Sequence, residues 1–127
     1  MLNRFLLFVT LTFAAVPMAQ AQSFQTFTQD SFEAALETGQ PIVINFYETW
    51  CSRCSTQRRN LAALVSQGEY QDTIVLEATF SQHRDFAADL GINARTSLAL
   101  IVDRDLVAIE VGGTSSAAVQ ALLDAAG

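Results

Sequence analysis

The strongest constraint on this chain is a cysteine pair set between a strand-like run and a helix-like run. Pro41-Ile42-Val43-Ile44-Asn45-Phe46-Tyr47 is apolar, β-branched and aromatic, and reads as a buried strand. Cys51 and Cys54 follow it, and over residues 55–65 Leu61, Leu64 and Val65 recur at helical spacing. The chain must therefore pass from strand to helix at the pair. That places the Cys51 sulfur near a helix N-terminus, where unsatisfied amides and the helix dipole favour a thiolate. Cys54, one turn further in, is expected to be the less exposed of the two.

The other segments alternate in type. Residues 24–28 read as a short strand, and 31–38 as a helix capped by Thr28 or Asp30 and stopped by Gly39. Residues 73–80 read as a second long strand, and 84–90 as a helix with Phe86, Ala87 and Leu90 on one face. Residues 98–102 and 106–111 form a hairpin around Asp103-Arg104-Asp105, and Gly112-Gly113 breaks its second strand. A closing helix over 115–126 turns Val119, Leu122 and Leu123 inward. The order β-α-β-α-β-α-β-β-α implies an α/β domain, a mixed central sheet with helices on both faces. Phe27, Phe32, Phe46, Phe80 and Phe86 are core candidates without chemistry of their own, and His83 stands alone in a loop.

The chain has 127 residues, enough for one domain. Half of it is hydrophobic, so a real core is available. All seven basic residues are Arg, set against thirteen acidic ones for a net charge of −6. That balance argues against DNA or any other nucleic-acid partner, which calls for a clustered basic face. At the start, Arg4 precedes the uncharged run 5–16, then Pro17 and Ala19-Gln20-Ala21, a small-x-small site. Residues 1–21 therefore read as a signal peptide cleaved before Gln22, leaving 22–127 as the domain and pointing to export to the periplasm. An uncleaved anchor is the alternative, although the run is short for a hydrocarbon core of about 30 Å.

Export sharpens the reading of the cysteines. A disulfide between residues this close removes little entropy from the unfolded chain and makes a poor staple. It is better suited to opening and closing reversibly. One His and two Cys cannot complete a four-ligand zinc site unaided, so no metal is assigned. The expected chemistry is dithiol–disulfide exchange: Cys51 attacks, Cys54 resolves, and no cofactor is needed beyond the Cys51–Cys54 disulfide itself. Partners are then cysteine-containing exported proteins and a membrane or periplasmic redox protein, and the chain is expected to be a monomer. The second class of function is a protein using the same two thiolates to hold a soft metal or an iron–sulfur cluster.

With Phe46-Tyr47-Glu48-Thr49-Trp50-Cys51-Ser52-Arg53-Cys54, Gly91-Ile92, Leu98-Ala99-Leu100-Ile101 and Val111-Gly112-Gly113 in view, residues 22–127 resemble the thioredoxin family. The resemblance implies the thioredoxin fold, protein-disulfide oxidoreductase activity and Trp50 at the rim of the site. Three positions depart from the family pattern. The buried Asp behind the second Cys falls on Asn45, whose amide cannot take the Cys54 proton. The accompanying Lys falls near Glu77, the only ionisable residue in 73–80. A buried carboxylate there could replace the missing base, unless it faces outward or the register slips by one. The cis-Pro opposite the Cys pair falls on Thr96, preceded by Arg95 at the substrate edge. A cis bond before a non-proline residue costs about 2.5–4 kcal/mol, so the Arg95–Thr96 bond is expected to be trans. Loss of the ring also leaves space over the sulfurs for metal or cluster binding, while the Thr96 hydroxyl could bond a thiolate.

Arg53 lies between the cysteines, and Arg58 and Arg59 follow in the helix. A cation beside Cys51 lowers its pKa and makes the disulfide a better oxidant. Arg53 is the expected tuning residue, with Glu48 opposing it. The potential expected is more oxidising than the roughly −270 mV of thioredoxin.

Overall fold

The computed structural model describes residues 24–127. The signal peptide and its cleavage site, expected over 1–21, lie outside the described residues. The apolar run after Pro41 forms the central strand β2 (Ile42–Tyr47), which pairs in parallel with β3 (Ile74–Thr79) and antiparallel with β4 (Ser97–Val102). The edges are β1 (Gln25–Thr26), parallel to β3, and β5 (Asp105–Val111), antiparallel to β4. The sheet order is β1-β3-β2-β4-β5, a mixed sheet as the alternation of elements implied.

Strand side chains alternate between faces, and the two faces of β2 feed separate cores. Ile42, Ile44 and Phe46 join α1 (Gln29–Thr38) and α3 (Arg84–Asp89) through Ala35, Ala87, Phe27 and Phe80. The five core phenylalanines meet there, with Phe27 stacked on Phe86 at 4.7 Å. His83 is half-buried and sets its ring edge-on to Phe27, a packing role that its loop position did not suggest. On the other face Val43, Val75, Leu98 and Leu100 meet α2 (Ser52–Val65) and α4 (Ser116–Asp124).

Local signals explain where elements stop. Thr28 caps α1 in a reciprocal box with Ser31, and Gly39 ends it at φ 73°. The hairpin between β4 and β5 turns on Asp103 and Arg104, both with positive φ. Helix α2 begins three residues earlier than the apolar periodicity marked, because Cys51 itself serves as its N-cap.

Candidate active site

The N-cap position gives the two thiols different surroundings. Cys51 Sγ accepts the backbone N–H of Cys54 at 3.2 Å, one of the amides a helix start leaves unpaired. Burial pushes the Cys51 thiol up, but hydrogen bonds from Cys54, Thr96, the Cys54 amide and Arg95 outweigh it and lower it to about 7. Cys54 is more enclosed, 2% exposed against 6%, and both are free thiols. Burial raises the Cys54 thiol, and its bond to Cys51 raises it further.

Above Cys51 is a cleft of about 450 Å³, lined by Trp50, Cys51, Arg53, Arg95, Thr96 and Gly112 among others. Trp50 stands at its rim, 69% exposed, with the Arg95 guanidinium over its ring at 4.3 Å. Thr96 closes the floor. Its Oγ1 lies 3.1 Å from Cys54 Sγ and 3.4 Å from Cys51 Sγ. Among the described residues no peptide bond is cis, so the Arg95–Thr96 bond is trans. Thr96 instead takes φ 60°, a left-handed conformation that is costly for a β-branched residue, about 1–3 kcal/mol. Three hydrogen bonds hold it there. Its N–H donates to the Phe46 carbonyl at 3.0 Å, and its carbonyl accepts from Gly112 N–H at 2.8 Å and Gln57 Nε2 at 3.2 Å. At roughly 0.5–1.5 kcal/mol each, they offset the strain.

Each cation of α2 is exposed and has a partner of its own. Arg53 donates to the Gly112 carbonyl at 2.5 Å, and Arg59 donates to Thr56 Oγ1 at 3.3 Å. Arg58 holds Glu77 with two bonds, at 2.9 and 3.0 Å, and lies over the Phe24 ring. Cys54 and Thr96 contribute most to lowering Cys51, and Arg95, from the loop before β4, adds a smaller part. Arg53, the expected tuning residue, lines the cleft beside Cys51 and gives one donor to the Gly112 carbonyl. Glu48, expected to oppose, turns its carboxylate to the Ser81 N–H at 2.7 Å.

Asn45 and Glu77 are register partners on β2 and β3, so both face the α2 side. Asn45 is fully buried, and neither its side-chain oxygen nor its nitrogen has a hydrogen-bond partner. Glu77, where the resemblance would place a Lys, is ion-paired with Arg58, with its side chain 14% exposed. It shares with Cys54 a second cleft of about 280 Å³. Gln57 escaped the sequence reading. It is fully buried and joins Thr96 to Gly113, whose carbonyl accepts Nε2 at 2.8 Å. The available signal was its place on the stripe Cys54, Gln57, Leu61 and Val65, all buried on α2.

A strand leading to a helix-capping cysteine, with a second cysteine beneath it, coincides with a family match. The thioredoxin family model matches residues 23–125. The chain belongs to the thioredoxin family. Trxlp from Edwardsiella tarda is similar in structure over 79% of this chain and 98% of its own, at 25% identity and a TM-score of 0.72. Mitochondrial thioredoxin 3 from Saccharomyces cerevisiae, in its oxidized form, is similar over 80% of this chain and 94% of its own, with 22% identity and a TM-score of 0.66. The second likeness speaks to the fold alone. No curated protein matches the chain. It is a thioredoxin-like redox protein whose two cysteines form the C-x-x-C motif of the family.

Proposed function

We propose that this protein is an exported, monomeric thiol-disulfide oxidoreductase that exchanges electrons between the Cys51–Cys54 pair and cysteines of partner proteins. The observation that carries the reading is the asymmetry of the two thiols. Cys51 opens on the cleft and is lowered to about 7, while Cys54 is enclosed and raised. The outer thiolate attacks a substrate disulfide, and the inner thiol then displaces the substrate. Export to the periplasm rests on the leader-like pattern of residues 1–21. A redox partner in the membrane or periplasm restores the pair, and the disulfide serves in place of a bound cofactor.

The reading in which the two thiolates hold a metal or cluster has less support. Among the described residues no group of three or more His, Cys, Asp or Glu side chains comes together as a ligand set. Further ligands would have to come from outside them, and the Thr96 hydroxyl lies against both sulfurs.

The test is trapping. Cys54→Ser should accumulate mixed disulfides with exported proteins, and Cys51→Ser should lose exchange altogether. If alkylation of the reduced protein at neutral pH modifies Cys54 before Cys51, the assignment of roles is wrong.

A further inference from the structure

Resolution of a mixed disulfide requires Cys54 to shed a proton, yet burial favours its neutral form. Of the ionisable groups lining the cleft beside Cys54, Glu48 gives one carboxylate oxygen to the Ser81 N–H at 2.7 Å. Asn45 offers an amide, which is no base, and its two polar atoms make no hydrogen bond. Glu77 is held at both oxygens by Arg58. His83 is packed against Phe27. One polar side-chain atom contacts both sulfurs: Thr96 Oγ1, at 3.1 Å from Cys54 and 3.4 Å from Cys51. A hydroxyl has one hydrogen to give and lone pairs to receive another, so one oxygen can do both at once.

We infer that the Thr96 hydroxyl is a catalytic residue, the proton relay of the resolving step. The inference rests on the exchange reaction proposed above. Cys54 Sγ forms a bond to Cys51 Sγ, and the bond between Cys51 Sγ and the substrate sulfur breaks. The Cys54 proton passes to Thr96 Oγ1, and the Thr96 hydroxyl proton passes to the departing substrate sulfur, which leaves as a thiol. The substrate half-disulfide is reduced, the cysteine pair is oxidised, and no further reactant is consumed. Relay demands that Oγ1 stay between the sulfurs. The bonds to Phe46, Gly112 and Gln57 fix the Thr96 backbone in the φ 60° conformation that puts it there.

The full chain, reduced, is mixed with glutathione disulfide, and single-turnover samples are quenched in acid and weighed by mass spectrometry. This separates formation of the Cys51–glutathione adduct from its resolution to the internal disulfide. Thr96→Val, which keeps the shape and removes the hydroxyl, should slow resolution roughly a hundredfold. Thr96→Ser should resolve near the wild-type rate. Adding Asn45→Asp to Thr96→Val should restore much of the loss, by placing a carboxylate behind Cys54. Thr96→Ala replaces Thr96→Val in both arms if the valine protein does not fold. Equal resolution rates in wild type and the hydroxyl-free variants overturn the relay while leaving exchange intact. A wild-type protein that forms neither adduct nor internal disulfide overturns the exchange reading itself.

Discussion

At Cys51 the decisive quantity is which donor reaches the sulfur. Cys54 and Thr96 supply most of the lowering at Cys51 and the Arg95 guanidinium a smaller part, while Arg53 donates to the Gly112 carbonyl. Arg95→Ala should therefore raise the Cys51 pKa from about 7 and shift the potential toward reducing values. Arg53→Ala should leave the thiol near where it is. Both are read by thiolate absorbance in the ultraviolet across pH. A rise with Arg53→Ala as large as with Arg95→Ala would return the tuning to the helix. Arg95 also lies over the exposed Trp50 ring, so its loss should weaken binding of substrate at the rim as well.

Between elements, the site depends on how the loop before β4 is held against α2. Gln57 and Gly112 both bond the Thr96 carbonyl, and Asn60 adds a strut by donating to the Thr114 carbonyl at 2.6 Å. The far end of the same β4–β5 ribbon is less well suited to its shape. Its turn places Asp103 at φ 50° and Arg104 at φ 71°, a conformation that favours Asn-Gly. Left-handed backbone costs an ordinary residue about 1–2 kcal/mol, and glycine gives back part of that in entropy. Arg104→Gly should then stabilise the protein by roughly 0.5–1 kcal/mol in urea unfolding, with exchange activity unchanged. A loss of stability would mean that the exposed Arg104 side chain makes a contribution greater than the backbone strain.

For the whole molecule, the thiol asymmetry becomes a dependence of stability on pH. Cys51 ionises more easily folded than unfolded, so its contribution is full above the unfolded value of about 8.5 and is lost as pH falls through about 7. Cys54 is raised, so above about pH 8.5 it works in the opposite sense. Reduced wild type should gain stability relative to Cys51→Ser between about pH 7 and about pH 8.5, the folded and unfolded values, and then level off. Thermal unfolding under reductant at several pH values checks it; a difference that stays flat would show that the folded thiol is not lowered. The sequence by itself determined the order of elements, the two-faced sheet and the strand-to-helix junction at Cys51, because hydrophobic period and capping are local properties. It also located Asn45, Glu77 and Thr96 as departures, since each could be counted from a nearby motif. Which partners those side chains take was decided only in three dimensions. Arg95 reaches Cys51, Arg58 takes Glu77, Gln57 secures Thr96, and Asn45 is buried without a bond. The reason is that a polar side chain takes the complementary group that packing brings within bonding distance, and here that group comes from another element of the fold.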